Sequence, residues 1–272
     1  MGAMSEAPSV HFAHLSTEQA RSLLAESRTH VLLWPVGATE PHGPHAPLAT
    51  DLIIAEGLCR RVAEALREDG ELGALVLPTL PFGVTRYANA FTGCVHVEEA
   101  TLRAIVVDVA RSMIAQGFDR IVVVNCHFEP EHVRTLHEAL DIVTEEAGIT
   151  VGYLDLTRRE RAKKLTEEFR HGESHADRYE TSLVLAERPE LVDEALASTL
   201  PTVPVNMARA IAGGASEFRE MGLARAYAGS PAAATAAEGE ATFATLAEML
   251  TEVVRAVAAG TGGRDEPGLF GR

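Results

Sequence analysis

The chain is poor in cysteine, in tryptophan and in positive charge. Its 272 residues include three cysteines and a single tryptophan, and 24 Lys and Arg stand against 39 Asp and Glu. Three widely spaced cysteines cannot build a disulfide framework, so a disulfide-stapled secreted domain is excluded and a reducing, cytoplasmic setting is predicted. The net charge of −15 repels the phosphates of nucleic acids and anionic membrane surfaces, so neither is expected as a partner.

Long hydrophobic runs are missing as well. The longest apolar stretches, such as 31–36 and 121–124, are far shorter than the roughly 20 residues that a membrane helix requires. The first residues lack the basic and apolar regions of a signal peptide, and residues 1–4 are interpreted as an expression remnant before a native Met4. The sequence therefore predicts no membrane-spanning segment.

What the chain does contain is enough apolar material for one large core. It is 46% hydrophobic and 23% charged, which is the balance of an ordinary globular protein. No internal repeat and no break in composition divides it. We predict a single domain over residues 5–262, followed by a flexible tail at 263–272 whose glycines and charges disfavour packing.

Short β-branched or Leu-rich runs alternate with longer segments of helical period, which is the pattern of βαβ units around a largely parallel sheet. Strands are predicted at Val31–Gly37, Ala74–Leu80, Arg120–Asn125 and Thr150–Leu154. Helices that cover the sheet are predicted at Asp51–Arg67, Val97–Gln116, Glu131–Glu146, Arg158–Arg170, Asp177–Ala186 and Ala233–Ala259. The stretch 201–231 has no clear period and is interpreted as loop, lid or subunit-contact material.

A dense polar cluster directly follows the first predicted strand. Glu40 and His42 are separated by one residue, so both can point the same way in an extended segment, and Asp51 enters from the start of the next helix. Parallel α/β sheets bind ligands at the carboxyl ends of their strands, which is where this loop must lie. Carboxylate and imidazole ligands suit Zn, Mn or Fe, and an Asp can bridge two ions.

A second pair of His and Glu follows the third predicted strand. His127 and Glu129 are again two residues apart. With the first cluster they supply five oxygen or nitrogen ligands, which is enough for a two-metal site. Either pair alone is weak evidence, but two such pairs at the functional edge of one sheet favour a metal site over solvated loops.

A third cluster, at 171–182, offers His175 as an acid/base candidate and Glu180 as a further carboxylate of unassigned role. His45 is interpreted as a loop-bracing or merely exposed histidine. Cys126 has no nucleophile signature around it, so a packing role beside a metal ligand is predicted. Trp34, inside the first apolar run, is expected to lie in the core.

At these residues the sequence resembles the creatininase (creatinine amidohydrolase) family. The segment Gly37–Asp51 fits the hallmark Gly-x-x-Glu-x-His-Gly-x-His-x-Pro-Leu-x-x-Asp of that family, and Asn125-x-His127-x-Glu129 fits a second motif. The segment His175–Ser182 matches the later His-Ala-x-x-x-Glu-Thr-Ser. Two short stretches, 80–83 and 91–93, look like further family segments, and the likeness covers residues 30–190.

The resemblance implies a three-layer α/β/α amidohydrolase with two divalent metal ions, commonly in a homohexamer. Zinc is the first expectation for the metal, with manganese or iron as alternatives. Carried over by motif, Glu40 and His127 would bind one ion, His42 and Glu129 the other, and Asp51 would bridge them. A bridging hydroxide would be the nucleophile, and His175 would pass a proton to the departing nitrogen.

The expected activity is therefore hydrolysis of a C–N bond in a small amide, cyclic amide or formamide. Creatinine itself is disfavoured because creatininase holds its planar substrate with tryptophans near the third cluster, whereas the only tryptophan here is Trp34. Two alternatives stay open. One is a peptidase-like maturation enzyme of the same family that cuts a terminal peptide bond, and the other is a non-catalytic binding or assembly protein.

Overall fold

The computed structural model describes residues 9–172 and 175–264. Its strands are β1 (Thr29–Val36), β2 (Leu72–Val76), β3 (Ile121–Asn125) and β4 (Gly152–Leu154). Its α-helices are α1 (Thr17–Ala25), α2 (Thr50–Ala65), α3 (Glu99–Ala115), α4 (Pro130–Ala147), α5 (Arg159–Ala162), α6 (Glu167–His171), α7 (Arg178–Glu187), α8 (Glu194–Ala197), α9 (Met207–Ala212) and α10 (Ala236–Ala258). Short 3-10 turns occur at Phe12–His14, Pro189–Leu191 and Pro231–Ala233.

The strands described form one parallel sheet in the order β2-β1-β3-β4. In register, Leu32 of β1 pairs with Leu75 of β2 on one side and with Ile121 of β3 on the other. All four strands lie where the sequence predicts them, although β2 is shifted towards the N-terminus. The chain leaves the ladder after Val76 and returns only as a single bridge between Leu80 and Val36.

Helices cover both faces of the sheet, so the predicted three-layer α/β/α architecture is confirmed. On one face α2, α7 and α10 bury residues such as Ile54, Leu183 and Leu250 against the sheet. On the other face α3 and α4 bury residues such as Leu102 and Leu136. Because both faces are covered, the strands are apolar at nearly every position rather than alternating.

Trp34 lies in the core, as its place in the first apolar run predicts. It is 3% exposed and packs on the side of the sheet that α3 and α4 cover. The predicted helix 158–170 is two short helices instead. The side chain of Thr166 accepts a hydrogen bond from the backbone N–H of Phe169 and so starts α6 anew.

The remaining predictions concern the ends of the chain and the aperiodic stretch. Residues 201–231 include the short helix α9 together with loops. At the start of the predicted tail, the carbonyl of Gly263 accepts a hydrogen bond of 2.8 Å from Tyr153 of β4, and Arg264 bridges the same residue. The rest of that tail and residues 1–4 lie outside the described residues. Among the helices described, none is long and apolar enough to cross a membrane.

Candidate metal centre

Four segments bring polar side chains to the carboxyl ends of β1 and β3. The loop after β1 carries Glu40 and His42, the first turn of α2 carries Asp51, the segment after β3 carries His127, and the first turn of α7 carries Glu180. All five side chains are buried, each at most 4% exposed. This is the sheet edge at which the sequence predicts a ligand site.

Asp51 stands between the two imidazoles. Its Oδ1 lies 3.0 Å from Nε2 of His42, and its Oδ2 lies 3.3 Å from Nδ1 of His127. Oδ2 also accepts a hydrogen bond of 3.1 Å from the backbone N–H of Ala38, which holds the carboxylate in this orientation. A carboxylate that turns one oxygen to each of two imidazoles has the geometry of a bridging ligand.

The far nitrogen of each imidazole donates to a backbone carbonyl. Nδ1–H of His42 donates to the carbonyl of Glu40 at 3.0 Å, and Nε2–H of His127 donates to the carbonyl of Val84 at 2.8 Å. The near nitrogens therefore present lone pairs to carboxylate oxygens, and the buried Nε2 of His42 has no hydrogen-bond partner among the described residues. Two lone pairs that face each other need a cation between them, which is a proton in the metal-free protein and which a metal ion can replace, so the residues present fit a metal ion.

The carboxylates complete overlapping groups of potential ligands. Oε1 of Glu40 lies 3.1 Å from Nδ1 of His127, and Oε2 of Glu180 lies 3.5 Å from Nε2 of His42. Within each of three groups the ligand atoms lie within 4.8 Å of one another; these groups are Glu40–Asp51–His127, His42–Asp51–Glu180 and Glu40–His42–His175. Asp51 belongs to two of them, so the cluster can hold two ions that share this residue.

The buried charges shift the pKa values of the ligands. Burial lowers the pKa of His42, but Asp51 and the other carboxylates outweigh burial and raise it to about 10. Burial raises the pKa of Glu40, but His127 outweighs it and the pKa falls below its ordinary value. Burial raises the pKa of Glu180 to about 7. Without a metal ion, protons on the imidazoles balance these carboxylates, and a metal ion must displace them.

His175 lies beside the ligands with one nitrogen fixed. Its Nε2–H donates to the carbonyl of Pro41 at 2.9 Å, and its Nδ1 lies 3.8 Å from Oε1 of Glu40. Its ring packs 4.6 Å from that of His42 and 4.4 Å from that of Phe218, centroid to centroid. Burial, and next to it His42, lower the pKa of His175 to about 4, so the ring is neutral at pH 7 with a free lone pair on Nδ1.

Glu129 takes a different position from the one expected of a metal ligand. Its Oε1 accepts a hydrogen bond of 3.0 Å from the backbone N–H of Arg86, and its Oε2 accepts one of 3.3 Å from that of Tyr87. It lines the same cavity but belongs to none of the three groups above. Burial raises its pKa to about 7. Glu180 occupies the place beside His42 that the family resemblance assigns to Glu129.

Glu180 could be noticed in the sequence only as a carboxylate near a histidine. Its position depends on the start of α7, where Oδ1 of Asp177 accepts a hydrogen bond of 2.9 Å from the backbone N–H of Glu180. Oε2 of Glu180 also accepts from the backbone N–H of Ala176 at 2.6 Å. The cap and this second bond turn the first helical residues inward, which residue spacing alone does not reveal.

His45 and Cys126 are buried next to the centre without joining any of the three groups. His45 is 2% exposed and its Nε2 is 2.9 Å from Oγ1 of Thr181, so it braces the loop after β1 against α7. Cys126 is 2% exposed, and burial raises the pKa of its thiol well above the ordinary value. A neutral thiol in the core is a packing residue rather than a nucleophile.

A cavity of about 180 Å³ opens on the centre. Part of its lining is the metal-site side chains, including Glu40, Asp51, His127 and Glu180, together with His175. Much of the rest is apolar and comes from α6, α9 and neighbouring loops; it includes Phe128, Phe169, Met207, Ile211 and Phe218.

A parallel α/β/α fold with buried carboxylates and imidazoles at its strand ends defines a class of α/β proteins suited to holding divalent cations. The chain belongs to the creatininase family, because the family model described as creatinine amidohydrolase matches residues 13–254. The resemblance stated from the motifs is thereby confirmed.

Named relatives have two different activities. The chain is 32% identical over 234 residues to a mycofactocin precursor peptide peptidase of Mycolicibacterium smegmatis, covering 85% of this chain and 86% of the relative. It is 33% identical over 180 residues to a creatinine amidohydrolase of Pseudomonas putida, covering 60% of this chain and 66% of the relative.

Solved creatininase structures share the fold. One described as the manganese form has a TM-score of 0.71 and 26% identity, and a mutant described as the Zn–Zn type has a TM-score of 0.71 and 25% identity. Each comparison covers 91% of this chain and 98% of the other chain. Creatininases of this fold thus carry manganese or zinc in their structures.

Proposed function

We propose that this chain is a metal-dependent amidohydrolase that cleaves a C–N bond of a small amide, cyclic amide or formamide. The observation that carries the proposal is the position of Asp51, whose two oxygens face Nε2 of His42 and Nδ1 of His127 at 3.0 and 3.3 Å. That geometry supports two cation positions side by side, and the adjoining cavity of about 180 Å³ leaves room for a small substrate.

Each ion has three protein ligands in this proposal. Glu40, Asp51 and His127 would hold one, and His42, Asp51 and Glu180 would hold the other. Glu180 thus replaces Glu129 in the ligand set expected from the motifs. Zinc is the first expectation, and manganese or iron are alternatives with the same kinds of ligand. When bound, such a pair lowers the pKa of water towards 7 and polarises a carbonyl oxygen.

His175 moves the proton. Its Nε2–H donates a hydrogen bond to the carbonyl of Pro41. Nδ1, which carries the lone pair, is therefore the atom that can accept a proton from the attacking water. The same proton is then donated from Nδ1 to the departing nitrogen, which leaves as a neutral amine. A positioned acid/base of this kind contributes about 10²–10⁴-fold to the rate.

A peptidase is the second candidate, and the similarity to the mycofactocin precursor peptide peptidase favours it. The cavity has an exposed rim at Arg170, Asn206 and Ala208, past which a longer chain can extend. Creatinine is disfavoured, because Trp34 lies in the core and no tryptophan lines the described part of the cavity.

Hydrolysis of a defined panel tests the proposal. Protein stripped with a chelator and reloaded with zinc or manganese is offered small amides, lactams, formamides and short peptides, with products identified by mass spectrometry. Activity that requires metal and is lost in Asp51→Asn supports the proposal. Equal turnover by stripped and reloaded protein would overturn it, and cleavage of the peptides alone would favour the peptidase.

The non-catalytic reading predicts a different outcome. In His127→Ala, loss of metal and turnover with retention of the oligomer indicates a catalytic centre, whereas loss of the oligomer alone indicates an assembly role. The family resemblance predicts a homo-oligomer, with a hexamer as the expected state. Light scattering on the same samples measures the molar mass of the assembly. The cytoplasmic location stays a prediction.

A further inference from the structure

We infer that the substrate carries an apolar group next to its scissile amide, and that Met207 and Ile211 of α9 with Phe218 select for it. The inference deepens the proposed function and rests on it. It assigns a role to α9, which lies in the stretch that shows no helical period in the sequence.

Helix α9 is fixed beside the cavity by polar bonds at its start. The side-chain oxygen of Asn206 accepts a hydrogen bond of 2.7 Å from the backbone N–H of Arg209, and its amide donates to the carbonyl of His171 at the end of α6. The backbone N–H of Met207 donates to the carbonyl of Gly172 at 2.8 Å. These bonds join α9 to α6, so the two short helices form one continuous part of the cavity wall.

The residues that α9 presents to the cavity are apolar. Met207 and Ile211 are four residues apart, so they lie on the same side of the helix, and both line the cavity while staying only half-buried. Polar Arg209, between them in sequence, is exposed and does not line it. A half-buried methionine and isoleucine gain further burial when an apolar ligand covers them.

Aromatic rings extend the apolar wall to the catalytic imidazole. Phe218 is 3% exposed, and its ring lies 4.4 Å from that of His175. Phe169 and Phe128 meet edge to face at 5.5 Å on another part of the lining. The group that adjoins the scissile bond must lie near His175, and it therefore contacts Phe218.

Few groups in the lining could form hydrogen bonds that compensate a polar substituent at that position for the water it loses. Among the described lining residues, the carboxylates are those of the metal centre and Glu129, which is bonded to backbone N–H groups. The hydroxyl of Thr157 already donates to Asp155 at 2.6 Å, and Asn206 is engaged as above. Arg170 and His171 are exposed at the rim. The hydroxyl of Tyr87 is the remaining polar side-chain group among the described lining residues, so a polar substituent placed here would lose water and gain few partners.

Binding of two hydroxamic acids tests the inference without requiring turnover. Acetohydroxamic and benzohydroxamic acid present the same metal-binding group and differ in the apolar part, and their dissociation constants are measured by calorimetry on the zinc-loaded protein. Benzohydroxamic acid is expected to bind about tenfold more tightly or better. In Met207→Ser and Ile211→Ser the ratio of the two constants falls towards one, while the affinity for acetohydroxamic acid stays unchanged.

Arg209→Ser is the matched control, because it makes a serine on the same helix outside the cavity lining and should leave the ratio at its wild-type value. If both acids bind and the ratio is the same in all four proteins, the apolar selection by α9 is wrong although the metal centre stands. If neither acid binds the zinc-loaded protein, or no zinc is taken up, the proposed function fails and the inference fails with it.

Discussion

At the scale of residues, the proposed second metal position distinguishes Glu180 from Glu129. Glu180 faces Nε2 of His42 at 3.5 Å, whereas both oxygens of Glu129 accept hydrogen bonds from the 86–87 backbone. We expect Glu180→Gln to bind about one zinc ion per chain and Glu129→Gln to keep two, as measured by elemental analysis after gel filtration. A loss of zinc in Glu129→Gln with none in Glu180→Gln would restore the ligand set expected from the motifs.

A closed circuit of hydrogen bonds positions His127 through its Nε2 and its backbone N–H, on the side away from Nδ1. The backbone carbonyl of Val84 accepts a hydrogen bond of 2.8 Å from Nε2–H of His127. The backbone N–H of Val84 donates one of 3.2 Å to Nδ1 of His132. The Nε2–H of His132 then donates to Oδ1 of Asn125 at 3.1 Å, and the same oxygen accepts from the backbone N–H of His127 at 3.1 Å. The circuit leaves Nδ1 of His127 as the atom that can bind a cation in the proposed centre.

His132→Phe keeps a ring in this place but leaves Val84 and Asn125 without their partner. We expect affinity for the zinc ion that His127 would hold to fall about 10- to 100-fold, measured by competition with a chelator of known affinity. His14→Phe, at an exposed position far from the centre, should change nothing. Wild-type affinity in a folded His132→Phe protein would show that the circuit does not position the ligand.

The residues of the candidate metal centre that could be predicted are those next to strand ends. Glu40, His42 and His127 follow β1 and β3 directly, and the end of a buried strand fixes where the following residues lie. In an extended chain, side chains two residues apart lie on the same side, and this predicts that Glu129 and His127 face the same place. The chain instead turns at Glu129, which is the residue before Pro130 at the start of α4, and its carboxylate is directed to the 86–87 backbone.

At the scale of elements, the strands were predictable because they are buried on both faces and are therefore continuously apolar. Helix α9 was not predictable, since only Met207 and Ile211 among its six residues are large and apolar, and its position depends on distant carbonyls at 171 and 172. The sequence predicts α5 and α6 as one helix for a related reason, because the cap at Thr166 lies within a stretch that is dense in both basic and acidic residues.

The packing of α10 on α7 depends on a glycine that lacks a side chain. A Cβ added at Gly239 would lie 1.9 Å from the carbonyl oxygen of Ser182, and backbone cannot yield as a flexible side chain can. We expect Gly239→Ala to lower the free energy of unfolding by about 3 kcal/mol or more, even though alanine is the better helix former. Urea denaturation measures the change.

Gly70→Ala is the control for that substitution. A Cβ at Gly70 meets no atom within 4 Å, so the stability should stay within about 0.5 kcal/mol of the wild type. Equal stability of the two variants would mean that α10 and α7 can separate at no cost, contrary to the close contact seen at Ser182.

At the scale of the whole molecule, the metal centre links cation binding to stability. Several carboxylates are buried together in a chain that already carries a net charge of −15, so the folded state needs positive charge at this place. Metal ions supply that charge when they are bound. In their absence the protonated imidazoles of His42 and His127 supply it, because nearby carboxylates raise both pKa values above the ordinary one despite burial.

Alkaline pH should therefore destabilise the metal-free protein. A folded-state pKa of about 10 for His42, against an ordinary 6.5, gives stability that is present below pH 6.5 and lost as the pH rises towards 10. For this group alone the loss between pH 7 and pH 9.5 is about 3 kcal/mol, measured by urea unfolding of chelator-treated protein. Zinc-loaded protein should show no such loss, since the ions have already displaced these protons. Unfolding curves of the metal-free protein that coincide at the two pH values would mean that the buried carboxylates do not depend on the imidazoles for their charge balance.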